Sequence, residues 1–80
     1  MKEGIHEYDV VALLEDAPAR HFITDRPIVL KRGLVGTVVM LHGDDVVEVE
    51  FAGDNGHAEA LLPLPVSKLM ALSYTPLVAV

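Results

Sequence analysis

Residues 46–64 read V-V-E-V-E-F-A-G-D-N-G-H-A-E-A-L-L-P-L. Val47, Val49 and Phe51 alternate with Glu48 and Glu50, the period of an antiparallel strand with one face buried and the other wet. Gly53-Asp54-Asn55-Gly56 follows, and Asn-Gly between two such runs is a strong local hairpin signal. The chain is therefore expected to turn tightly at Asn55 and Gly56, with Gly56 at positive φ. On the return, Ala58, Ala60, Leu62 and Leu64 share one face. Pro63 cannot donate to a ladder, so this strand ends near it or lies at an edge.

Working outward, Thr37–Leu41 (T-V-V-M-L) reads as the preceding strand, closed by the turn His42-Gly43-Asp44-Asp45. Lys31-Arg32-Gly33-Leu34-Val35-Gly36 reads as a turn entering that strand. Gly33 and Gly36 suit backbone positions that need positive φ or close approach. Further upstream, Tyr8–Leu14 (Y-D-V-V-A-L-L) is rich in β-formers and too short for a helix. Glu15–Leu30 reads as a long excursion, too apolar at Phe22, Ile23, Ile28, Val29 and Leu30 for a solvated loop, that folds back on the core. Downstream, Pro65–Leu69 reads as one 3₁₀ turn and Met70–Tyr74 as a fifth strand.

Five short strands with a 3₁₀ turn before the last predict an all-β chain, a small five-stranded SH3-like barrel. Closure would manage the strand edges. Periodicity alone also allows another small barrel or a five-stranded meander. The expected organisation is a flexible segment at 1–7, the barrel domain at 8–75 and an apolar tail at 76–80. Strand periodicity places Val10, Ala12, Leu14, Val38, Met40, Val47, Val49, Phe51, Leu62 and Leu69 in the core.

Leu30–Val39 (L-K-R-G-L-V-G-T-V-V) resembles the glycine turn of SH3-like barrels and is similar to the KOW motif of ribosome- and transcription-associated proteins. A wider match takes in Tyr8–Asp16, Lys31–Val39, Val47–Phe51 and Ala60–Leu64. These stretches together resemble the uncharacterised bacterial family DUF4926, over roughly residues 8 to 70. The segment Ala17–Val29 and the uncharged tail after Leu69 read as longer than in its typical members. The resemblance implies a fold and carries over no catalytic residue.

With 80 residues there is room for one domain, and a chain this short buries a modest share of its surface. There is no Cys, which fits a reducing cytoplasm. Aliphatic residues dominate: hydrophobic residues make up 51% and aromatics only 5%. Twelve acids against six bases leave a net charge of −6. That balance argues against nucleic acid and anionic membranes as partners. The longest uncharged run, Leu69–Val80, falls short of the ~20 residues of a membrane span. The polar start Met1-Lys2-Glu3-Gly4 is unlike a signal peptide.

Catalytic chemistry finds little to use. Ser67 and Ser73 are the only serines, and no nucleophile elbow or phosphate-binding glycine loop is present. Glu48 and Glu50 share a face, yet alternating acids on a wet strand are commonplace. His57 with Glu59 and Asp54, and His42 with Asp44 and Asp45, match no metal-binding spacing. The expectation is no enzyme, no cofactor and no metal. Four aromatics, one of them the core-facing Phe51, do not make a proline-peptide groove.

The surplus of aliphatics instead predicts a protein–protein module that self-associates, most simply as a two-fold dimer. Its expected interface is Phe22, Ile23, Ile28 and Val29 of the excursion with Leu72, Tyr74, Leu77, Val78 and Val80 of the tail. Two alternatives stay open. One is an acidic antidote or regulator bound to a toxin or enzyme encoded nearby. The other is a KOW-like nucleic-acid module, which the charge disfavours.

Overall fold

The computed structural model describes residues 4–73. Its strands are β1 (Val10–Leu13), β2 (Ala17–Arg20), β3 (Pro27–Leu30), β4 (Val35–His42), β5 (Val46–Ala52), β6 (Ala58–Pro65) and β7 (Leu69–Ala71). A 3₁₀ turn, Val66–Lys68, joins β6 to β7, and no α-helix occurs among the described residues. The chain is all-β. Five strands form one antiparallel sheet in the order β6-β5-β4-β1-β7, and β2 with β3 forms a second. Among the described residues the larger sheet stays open, with β6 and β7 as its two ends.

The β5–β6 hairpin sets the core. Val47, Val49 and Phe51 pair with Leu64, Leu62 and Ala60, all pointing inward. The connection runs over 53–57. The Gly53 amide donates to the His57 carbonyl and the Gly56 amide to the Gly53 carbonyl, both at 2.9 Å. Gly56 has φ +82°, and the Asn55 side chain accepts from the His57 amide. A turn with its last residue left-handed is what Gly tolerates and other residues resist.

Gly33 and Gly36 do different work. Gly33 has φ +90° within a turn closed by the Leu34 amide donating to the Lys31 carbonyl. Gly36 faces the Phe51 ring, and a Cβ there would lie 2.8 Å from two ring carbons and from the Glu50 carbonyl oxygen. Asp16 fastens the Gly33 turn from outside, accepting from the Arg32 amide at 2.8 Å and the Lys31 Nζ at 3.1 Å.

Of the expected core positions, Met40 and Leu14 are exposed and Val10 and Leu62 only partly buried. Met40 is exposed, because the β4–β5 register shifts between Val38 and Met40. Val38 opposes Val49 while Met40 opposes Glu48, so two residues of β4 span one step of β5, and this bulge turns Met40 to the wet face. Leu41 then stands opposite Val47 but remains 44% exposed. In β1 the burial does not alternate: Val11, Ala12 and Leu13 are all buried, Ala12 as expected, while Leu14 lies exposed beyond the strand and Val10 is only partly buried. Leu62, also expected to be buried, is partly buried and packs against the core.

The excursion between β1 and β4 is a hairpin. Ala17 and Leu30 pair and enter the core, and Ala19 and Ile28 pair and pack against it. Pro18 and Val29 alternate outward. The last strand ends at Ala71 rather than at Tyr74, which with Leu77, Val78 and Val80 lies outside the described residues. Leu72 is partly buried, and its amide donates to the Val10 carbonyl.

Candidate interaction surface

The β2–β3 hairpin ends in a tip, residues 21–26, that holds the largest apolar exposure of the excursion. Phe22 is 58% and Ile23 71% exposed, and Val29 lies open on the hairpin's outer side. The tip is nonetheless held firmly. The His21 amide donates to the Arg26 carbonyl at 2.8 Å, and the Phe22 amide to the Glu59 carbonyl at 2.7 Å. The His21 ring adds a clip. Its Nδ1 accepts from the Ile23 and Thr24 amides, at 3.2 and 3.3 Å. A nitrogen that accepts carries no proton, so Nε2–H donates to Glu59 Oε1 at 2.9 Å. Glu59 is the extra residue of a β5–β6 register shift, where Phe51 pairs with Ala60 and Ala52 with Ala58.

Two arginines flank the tip. Arg20 Nη1 donates to the Asp25 carbonyl at 2.9 Å, and among the described residues neither Arg20 nor Arg26 forms an ion pair. The tip is thus apolar at its crown, with Arg20 and Arg26 at its sides and the exposed Asp25 beside Arg26, on a chain whose net charge is −6.

At the other end of β5 lies a cleft of about 210 Å³. The N-terminal residues Gly4, Ile5 and His6 close it over Leu41, Gly43, Asp44, Val47 and Val66. Val47 supplies a buried apolar floor and Ile5 packs against the core. Asp44 stands on the rim, with the exposed Asp45 next to it in sequence. The outer face of the larger sheet is mixed. Met40, Glu48 and Pro63 form one row across it, and Thr37, Glu50 and Leu61 another. Glu48 is engaged with His42 Nε2 at 2.8 Å.

These positions bear on the chemical candidates. Glu48 and Glu50 lie outside the cleft lining. Glu59 is turned to His21 rather than to His57. Among the described residues no three His, Asp or Glu side chains come together as a metal-binding group, and no helix is long and apolar enough to cross a membrane. Of the residues expected at an interface, the structure brings Phe22 and Ile23 together at the tip. Val29 lies along the hairpin and Ile28 turns to the core. Leu72 continues the edge strand β7, its amide on the Val10 carbonyl. Sequence reasoning missed the His21–Glu59 clip, the two arginines and the cleft. The clip joins residues 38 apart and has no local signature. Arg20 and Arg26 stand on either side of Phe22 and Ile23 in the sequence and were the legible clue.

The fold and surfaces define a small all-β domain with an ordered, exposed hairpin tip. The sequence profile of DUF4926, a domain of unknown function, matches residues 7–71, and the chain belongs to that family. No curated protein and no solved structure matches the chain.

Proposed function

We propose that this chain is a protein–protein interaction module with SH3-like architecture that assembles with copies of itself. The observation that carries the reading is the tip. Phe22 and Ile23 stand in solvent while five hydrogen bonds, from Phe22, Ile23, Thr24, His21 and the Glu59 clip, hold them in place. Scattered single apolar residues on a surface need no explanation, but two adjacent ones presented by an ordered hairpin offer a contact. The strand order, the hairpin between β1 and β4 and the 3₁₀ turn before β7 support the architecture. The module acts by binding rather than catalysis, without metal or cofactor, in a cytoplasm, with neither nucleic acid nor membrane as its partner.

Light scattering after size exclusion tests this reading. The expected mass is a multiple of the 8.7 kDa chain at high micromolar concentration, falling on dilution. A constant monomer mass across that range would refute it.

A further inference from the structure

The tip and the cleft both expose apolar groups, and Arg26 and Asp44 beside them carry opposite charges. The tip raises Ile23, 71% exposed, between Arg20 and Arg26. The cleft offers an apolar floor at Val47 and walls at Ile5, Leu41 and Val66, with Asp44 at its rim. At about 210 Å³ it is smaller than the roughly 300–1,000 Å³ of small-molecule sites. A cleft of that size suits an apolar side chain better than a metabolite. Resting on the self-association reading, we propose that two copies of this chain join reciprocally, the Ile23 tip of each entering the cleft of the other, with Arg26 facing Asp44.

The placement of the two surfaces favours this arrangement. Glu59 ties the tip to the sheet near the Ala52 end of β5, while the cleft opens at the Val46 end. Seven residues of strand separate those ends by about 20 Å. Tip and cleft on one copy are too far apart to meet. A two-fold axis between antiparallel copies lets residue i of one face j of the other and j face i, so both contacts form together. One knob in one small cleft falls well short of the area of a stable interface. Two formed at once reinforce each other, because the second is intramolecular once the first is made. The hydrogen bonds around His21 order the tip beforehand, which lowers the entropy lost on docking. Arginine against aspartate at the rim favours this pairing and fixes its register.

Charge reversal tests the geometry. Arg26 and Asp44 are both exposed, and neither belongs to the core. R26E and D44K should each weaken association, by about three- to tenfold in sedimentation equilibrium. The R26E/D44K double variant should regain most of the affinity, since each contact then sets glutamate against lysine. Ile23→Asp should weaken association by about tenfold or more. Mixed with D44K chains, which keep an intact tip, Ile23→Asp chains still offer an intact cleft, so the mixture should associate more tightly than either variant alone. If the native chain associates and the double variant fails to recover, or D44K has no effect, the tip-to-cleft pairing is wrong while self-association stands. If the native chain is a monomer throughout, both readings fall together. Circular dichroism melts of each variant confirm that the fold is retained.

Discussion

Gly36 occupies a place where a methyl group has no room. A Cβ there would press on the Phe51 ring and the Glu50 carbonyl, and neither is the free end of a flexible chain. Gly36→Ala should therefore cost about 1–3 kcal/mol in urea unfolding through overpacking. Gly56 is constrained differently. Nothing lies within 4 Å of its missing Cβ, but its φ of +82° resists a β-branched side chain. Gly56→Val should destabilise by more than about 1 kcal/mol, and a neutral result would refute the turn. Val49 is fully buried, so Val49→Ala should cost about 1–3 kcal/mol from lost transfer energy and the cavity left behind. The Arg32 amide, then the Lys31 ammonium, hold the Asp16 carboxyl below its ordinary 3.8. A depressed carboxylate pKa means that the folded chain binds the proton less readily than the unfolded one. Asp16 thus adds stability above pH 3.8, and that contribution disappears as pH falls through the lower folded value. Asp16→Asn should flatten the loss of stability across that acid window, as followed by urea unfolding at several pH values.

Among the elements, β5 and β6 were the most legible, because V-V-E-V-E-F alternates strictly and Asn55-Gly56 separates it from its partner. Pro63 called for a strand that ends near it or lies at an edge, and β6 is an edge. β4 was legible as a strand but not in phase. Nothing in T-V-V-M-L marks a bulge, so Met40 was expected inside and lies outside. β1 gave no phase either, since V-V-A-L-L is apolar at every position and sits between β4 and β7. The excursion was legible as too apolar for solvent, though not as two paired strands, because Pro18 and Pro27 interrupt the usual strand signature. The clip that holds its tip was invisible, for its two side chains meet only after the sheet has formed. His21→Ala removes the acceptor for the Ile23 and Thr24 amides and the donor to Glu59. Hydrogen exchange should then quicken at those two amides and stay unchanged in β4 and β5. Equal acceleration throughout would mean that the hairpin and sheet open as one unit.

The whole molecule divides its apolar residues unevenly. Phe51, Val11, Val38, Val47 and Val49 are fully enclosed, while Phe22 and Ile23 remain in water on an ordered tip. An ordered exposed apolar tip and a small apolar cleft are what a reciprocal contact between copies requires, and self-association is the account's central claim. The most direct measurement is an NMR dilution series on the native chain, reading the rotational correlation time and the methyl signals of Ile23 and Ile5 together. The correlation time should rise with concentration above that of an 8.7 kDa monomer, and both methyl signals should shift along the same binding curve. A correlation time that stays monomeric, with Ile23 and Ile5 unmoved up to millimolar concentration, would contradict it.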